Sequence, residues 1–435
     1  MASATPRSFI ARLTEPYVHG VSMKGLKAAT AVLPFKWPKT FEGDSPSVEM
    51  CRYIVEKGWH QSVLFISSKT PVRTGLIQPM VDVLEAGGIK VTVYDNVQPD
   101  PTVEQIEATV DVLRANQCDG VIALGGGSVI DAAKAVAARG KNPKRSIMDM
   151  TGMFRVMRGM LPLYAVPTTA GTGSEVTIAA VVTDTKGQRK LPMLDPRLMP
   201  RLAALDGSLM LGVPQHVTAA TGMDALTHAV EAFISGNAMD RTDVLALEAV
   251  KLIMANLETA FEDGSNLEAR QAMARASHLA GKAFTQAGVG YVHAIAHNFG
   301  ALYHVPHGRA NAIVMPYVLD YSKSKCAKRL ARLAREAGIG DEVMSADERA
   351  SLFIARIREM NERFGIPDHV EALKEEDIPR IARAARAEAR WTYAVPRYMR
   401  RHTAEWIVSK MLPNAPDRPQ PDEPDVPGTE ETTSD

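Results

Sequence analysis

The stretch DGVIALGGGSVIDAAKAVAA, residues 119–138, changes texture halfway along. Asp119 to Leu124 is a short apolar run that reads as a buried strand. Gly125-Gly126-Gly127 ends it, and Ser128 to Ala138 continues with helical spacing. A strand that runs through glycines into a helix is the repeating unit of a parallel α/β sheet. The same alternation extends toward the N-terminus. Ser62 to Ser67 reads as a buried strand, Thr74 to Glu85 as a helix ended by Gly87-Gly88, Lys90 to Tyr94 as a strand and Val103 to Asn116 as a helix. On the other side, Leu163 to Val166 is a further apolar strand. From about Pro214 strand signals become scarce. Helical periodicity takes over at 215–234, 241–262, 267–288, 291–303, 346–364 and 376–388.

The expected organisation is an extension over 1–40, an α/β domain with a parallel sheet over 41–213, an all-helical domain over 214–412 and a tail over 413–435. The tail is rich in proline and acid and poor in apolar residues, a composition that predicts disorder. With 435 residues, 46% of them hydrophobic, the chain can bury two cores. Fifty basic residues balance fifty acidic ones, so no global field attracts nucleic acid. Cys51, Cys118 and Cys326 are far apart and form no CxxC pair. That excludes a disulfide framework and a thiolate zinc site, and it fits a reducing, cytoplasmic setting. No run reaches the roughly 18 apolar residues of a membrane span, and the N-terminus lacks the apolar core of a secretory signal. Lys24 to Phe35 is mildly amphipathic. It reads as a helix packed on its own domain or on a subunit partner; an interfacial membrane helix and an organellar transit peptide are the alternatives.

Gly125-Gly126-Gly127-Ser128 has the character of a phosphate loop. Glycine lets backbone approach a phosphate, and the helix N-terminus behind it offers N–H groups and partial positive charge. Ser128 suits both capping and phosphate donation. Asp131, in the first turn, suits the helix dipole or a bond toward a ligand. The pattern is not GxGxxG, and a tight structural turn would also explain three glycines. A second loop, PTTAGTGSE at 167–175, directly follows the strand 163–166. Strand C-termini are where open α/β sheets bind ligands.

Asp224 and His228 are spaced i, i+4, and so are His293 and His297, which places each pair on one helix face. His304 and His307 follow. A lone histidine on an apolar helix is usually a core residue; two such pairs and further histidines in one helical region point to a divalent cation. Imidazole and carboxylate suit Fe(II) or Zn(II). Spacing alone leaves the choice among His293, His297, His304 and His307 open.

These residues resemble the iron-dependent, or group III, alcohol dehydrogenase family over roughly residues 41–410. The motifs are GGGSVIDAAK at 125–134, PTTAGTGSE at 167–175, ATGMDALTHAVEAF at 220–233 and VHAIAHNFGALYHVPHGRANAI at 292–313. The resemblance implies a dehydroquinate synthase-like fold, with a dinucleotide-binding α/β domain and an all-α metal-binding domain. It implies Asp224, His228, His293 and His307 as ligands of Fe(II) or alternatively Zn(II), His297 as a proton-relay neighbour, and His304 as structural. It implies dinucleotide contacts at Gly126, Gly127, Ser128, Thr168, Thr169 and Thr172, with Asp131 and Lys190 also at cofactor positions. The implied reaction is hydride transfer between an alcohol and the nicotinamide, run in reverse on an aldehyde or ketone, between the two domains. A homodimer or higher homo-oligomer is implied as well. One position departs from the pattern. NAD-preferring members carry an aspartate after the first strand, where Ser68 stands here, with Lys69 and Arg73 close by in sequence. That removes a charge that repels a 2′-phosphate and opens the site to NADP as well as NAD. Phe284, Phe299 and Tyr303 are candidate substrate neighbours. The rival readings are a hydroxyacid–oxoacid transhydrogenase, a lyase or glycerol-phosphate dehydrogenase of the same fold, and a non-enzymatic assembly protein. The complete set of one aspartate and three histidines argues against the last three.

Overall fold

The structure is a computed structural model that describes residues 35–187, 189–415 and 419–421. The amphipathic stretch before Phe35 and the acidic end of the tail lie outside the described residues. In chain order the elements are β1 (Lys39–Phe41), α1 (Pro46–Glu56), β2 (Ser62–Ile66), α2 (Lys69–Arg73), α3 (Gln78–Ala86), β3 (Lys90–Tyr94), α4 (Val103–Ala115), β4 (Gly120–Gly125), α5 (Gly127–Lys141), α6 (Ile147–Met150), β5 (Gly152–Met153), β6 (Leu163–Pro167), β7 (Ala179–Asp184), β8 (Arg189–Leu194) and β9 (Leu202–Ala204). They continue as α7 (Gln215–Ile234), α8 (Asp240–Glu262), α9 (Leu267–Ala287), α10 (Tyr291–Tyr303), α11 (His307–Glu336), α12 (Ala346–Arg363), α13 (Ile378–Thr392) and α14 (Arg401–Ser409).

Six strands form one parallel sheet in the order β1-β9-β6-β4-β2-β3. Successive residues of a strand face opposite sides, and here both sides are apolar. Leu64, Ile66, Val121 and Ala123 pack on one face with Ile106 and Val110 of α4 and Ile130 of α5. Val63, Phe65, Ile122 and Leu124 pack on the other with Met50 and Ile54 of α1 and Leu84 of α3. Helices on both faces explain why the strands read as continuous apolar runs. From β2 the chain passes outward to β3 and then back across to β4, so the strand order switches between β2 and β4. In open α/β sheets the loops that follow strands at such a switch are where ligands bind. A second, mixed sheet of order β5-β8-β7 sits in the same unit and carries no alternation strong enough to stand out in the sequence.

Two compact units divide the chain. One holds Pro34–Ala225 and Asn256–Lys282; the other holds Leu226–Ala255 and the chain from Ala283 onward. The first therefore includes the sheet and most of α9, and the division falls within the helices α7, α8 and α9. The second is helical. The helix read over 74–85 starts only at Gln78, as α3, because the chain turns at Gly75, which has φ 75°; the short helix α2 ends before Thr74. The long helix α11 was not visible in the periodicity. It contains Pro316 and is interrupted at Cys326, whose φ of −141° is not helical. Among the described residues no helix is long and apolar enough to cross a membrane.

Candidate functional site

At the end of β4 the chain enters α5 with Gly126 as N-cap in extended backbone. Gly126 and Gly127 are required by proximity. A Cβ on Gly127 would stand 2.6 Å from Thr172 Cγ2, and one on Gly126 3.3 Å from Thr169 Oγ1. The glycine loop and the loop 167–175 are thus packed backbone to side chain, and the Thr168 N–H donates to Gly125 O at 3.0 Å. The first N–H groups of α5 have no carbonyl one turn earlier to bond, which is the requirement of an anion site. Ser68 ends the β2 side of the crevice as N-cap of α2. Its neighbour Ser67 donates to Leu124 O at 2.7 Å, tying the two strand ends together. Lys69 and Arg73 are exposed, and among the described residues neither forms an ion pair.

Asp131 lies one turn into α5. Its carboxylate accepts from Ser174 Oγ at 2.6 Å and from the Val181 N–H at 2.9 Å, and burial pushes it above the usual carboxylate range. Three residues on, the fully buried Lys134 donates to Thr177 O, Thr177 Oγ1 and Ala179 O at 2.7–3.0 Å. Burial lowers this ammonium to about 8. Both side chains hold the exit of the 167–175 loop onto α5. Lys190 reaches Asp100, 2.7 Å from Nζ, and the Asp100 N–H donates to Ser128 Oγ at 3.4 Å. Asp100, which the sequence did not single out, thereby links Lys190 to Ser128.

The helical region gathers the histidines. Asp224 and His228 are one turn apart on α7, and His293 is on the first turn of α10; all three are buried. One ligand atom from each lies within 4.8 Å of the others. The His228 and His293 rings are 4.6 Å apart, and Phe284 stacks on His228 at 4.2 Å. His307, the first residue of α11, is half-buried with its ring 5.4 Å from that of His293. Asn311 Nδ2 lies 3.2 Å from Nε2 of both His293 and His307, so these two nitrogens face one locus. Burial first, then the neighbouring histidines, hold His293 well below its ordinary value, which keeps it a neutral imidazole with a lone pair to give. The structure brings together one carboxylate and two imidazoles, those of Asp224, His228 and His293, and places His307 beside that group rather than in it; carboxylate and imidazole donors suit Fe(II) or Zn(II).

The remaining histidines separate. His297 is exposed, its ring 5.3 Å from that of His307, and its Nδ1 is 2.8 Å from Glu388 Oε1, which also accepts from Tyr393 at 2.6 Å. His304 is the C-cap of α10 in left-handed backbone, exposed to solvent. Of the aromatic candidates, Phe299 is fully buried and Tyr303 donates to Asp377 at 2.6 Å.

Two family models match, "iron-containing alcohol dehydrogenase" over residues 38–207 and "Fe-containing alcohol dehydrogenase family, C-terminal" over 218–412. The lactaldehyde reductase of Escherichia coli K12 is 35% identical over 334 residues, 76% of this chain and 87% of that one. The chain belongs to the iron-containing alcohol dehydrogenase family. The NAD-dependent methanol dehydrogenase of Bacillus methanolicus, another relative, is 38% identical over 314 residues, 72% of this chain and 82% of its own. A crystal structure of 1,3-propanediol oxidoreductase superposes with a TM-score of 0.83 at 34% identity, covering 87% of this chain and all of that one. As an iron-containing alcohol dehydrogenase, the protein is a metal-dependent oxidoreductase of alcohols and aldehydes that works with a nicotinamide cofactor.

Sequence reasoning passed over Glu231, which is buried behind His293 and within 2.7 Å of its Nδ1. Its signal was present: 224, 228 and 231 are spaced four and three apart, one face of a helix. Asn311 was equally legible, four residues after His307. Burial pushes the Glu231 carboxyl up to about 7, against the backbone N–H bonds that lower it.

Proposed function

We propose that the protein reversibly oxidises primary or secondary alcohols to aldehydes or ketones, with Asp224, His228, His293 and His307 holding Fe(II). Zn(II) fits the same donors. The convergence of buried donor atoms on α7 and α10 carries the reading. When bound, the cation supplies Lewis-acid polarisation of the substrate oxygen, and the nicotinamide takes or gives the hydride. The chain does the rest. The glycine loop and the N-terminus of α5 receive the dinucleotide phosphates, with Ser128, Thr168, Thr169 and Thr172 as hydroxyl donors. Lys190 offers a charge that Asp100 holds in place. His297, exposed and held through Nδ1 by Glu388, receives the hydroxyl proton and passes it to water. Ser68 leaves the β2 end of the crevice without a carboxylate, and Lys69 and Arg73 supply cations, so NADP serves as well as NAD. The oxidised carbon loses a hydride and its hydroxyl a proton, so the step balances. The working protein is a homo-oligomer in the cytoplasm.

The test is an activity panel of NAD and NADP against alcohols and aldehydes of graded length, with metal removed and restored. Turnover should vanish on chelation, return with Fe(II), and be lost in His307→Ala and Asp224→Asn with the fold intact. Full activity of either variant in chelator-treated buffer sinks the metal reading. Turnover that persists after free NAD(P) is stripped away moves the reaction to a transhydrogenase.

A further inference from the structure

Glu231 is a carboxylate placed where it acts on two things at once. It projects from α7 onto the N-terminus of α10. One oxygen, Oε2, accepts from the Gly290 N–H at 2.8 Å and lies 2.7 Å from His293 Nδ1; the other, Oε1, accepts from the Val292 N–H at 2.7 Å. Gly290 is the N-cap of α10, Val292 its second residue and His293 its third. The side chain that caps the helix therefore also fixes the ring of the first turn. It is buried, as is the His293 ring. Gly290 makes room for it, since a Cβ there would stand 2.7 Å from Glu231 Oε1.

We propose that Glu231 is the positioning residue of the metal centre: it holds His293 as the Nδ1–H tautomer, turns Nε2 toward the ion, and supplies the second negative charge that a buried dication requires. The proposal rests on the metal reading above. The logic is one of donors and acceptors. Among the described residues the hydrogen-bond partners of the Glu231 carboxylate are N–H groups, so Nδ1 carries the ring proton and Nε2 keeps its lone pair. Asp224 alone leaves a bound dication with a net positive charge in a buried site, and a carboxylate one ring away neutralises it. Because the same carboxylate sits at the positive end of α10, the helix stabilises it, and among the described residues no lysine or arginine pairs with it. Gln at 231 cannot reproduce this. With one acceptor and one NH2, either flip places a donor against Val292 N–H or against His293 Nδ1. The second outcome moves the ring proton to Nε2, the atom that should face the ion.

The experiment measures metal affinity rather than turnover. Zn(II) and Co(II) are titrated into apo full-length protein in competition with a chromophoric chelator, with the visible Co(II) spectrum and the apo melting temperature recorded. Glu231→Gln should bind about 10–100-fold more weakly and shift the Co(II) bands. Glu231→Asp, which keeps two acceptor oxygens, should recover part of the loss. Gly290→Ala, whose methyl must displace the carboxylate while leaving it chemically intact, should weaken binding at least about fivefold. A role confined to stability would lower the apo melting temperature and leave affinity and spectrum alone. Glu231→Gln within twofold of wild type with an unshifted spectrum overturns the proposal. If that variant does not fold, unchanged affinity in Gly290→Ala does so. Wild-type protein that binds neither ion refutes the metal reading itself, a different result from either.

Discussion

Gly281 is the position where the smallest change should reach the loop proposed to hold the dinucleotide. It lies inside α9, facing the loop that carries Thr168, Thr169 and Thr172. A Cβ there would stand 2.7 Å from Val176 Cγ1 and 3.1 Å from both Cα and O of Gly173. Two of those three neighbours are backbone and cannot rotate away. Ordinary contact begins near 3.4 Å, so the loop or the helix must give by several tenths of an ångström. Overpacking of this kind costs about 1–3 kcal/mol, and replacing a mid-helix glycine by alanine returns about 0.5–1 kcal/mol. Gly281→Ala should therefore destabilise the protein by roughly 0.5–2 kcal/mol, several degrees of melting temperature at most. If the loop takes up the displacement, the three threonine hydroxyls move, and loss of about 1 kcal/mol of dinucleotide binding raises Kd about fivefold. Gly173→Ala should be worse. Its φ of 59° is left-handed, and its Cβ would meet Gly281 Cα at 2.8 Å and Ser277 O at 2.9 Å. Fluorescence titration with NADH and NADPH, beside calorimetry, separates the two effects. A lower melting temperature with wild-type dinucleotide affinity in both variants would refute the argument that this packing sets the loop.

Three further outcomes follow from single side chains. Lys134→Met leaves the carbonyls of Thr177 and Ala179 without their buried donor and should cost about 1–3 kcal/mol, read as a lower urea midpoint at constant slope. Ser68→Asp should raise KM for NADP at least tenfold with little effect on NAD; equal effects on both would mean that the position is not beside the 2′ carbon. His60, between Asp119 and Tyr164, is held below its ordinary 6.5 chiefly by burial, with Asp119 opposing. The unfolded chain then takes up the proton first, so this stability is complete above pH 6.5 and is lost as pH falls from 6.5 toward the folded value. Urea midpoints between pH 7.5 and 5 should fall more steeply in wild type than in His60→Gln. The difference between the two isolates this histidine from the buried carboxylates, and identical slopes would count against it.

How much of this was legible in the chain depends on range. The sheet was, because both of its faces are covered and the strands declare themselves as unbroken apolar runs between glycines. Helix α9 was legible as a helix but not in its allegiance. Its periodicity matches the helical half, yet the compact unit that holds most of it contains the sheet, through contacts such as Gly173 with Gly281 and Gln271 with Leu205 O that no local pattern declares. Helix α11 was hidden by Pro316 and by its break at Cys326. In the site, spacing could not rank His293 against His297, and the structure shows why no local pattern could. Both have a carboxylate on Nδ1, Glu231 for one and Glu388 for the other, so both present Nε2 outward. What differs is water. The His293 side chain is 4% exposed and the His297 side chain 42%. A buried lone pair held in one tautomer suits a fixed charge that stays. An exposed ring with the same backing can exchange its proton with solvent at each turnover. The two histidines are one turn apart on one helix, and in the proposed mechanism the difference between ligand and relay comes from Glu231 of α7 and Glu388 of α13, which back them, and from their unequal exposure.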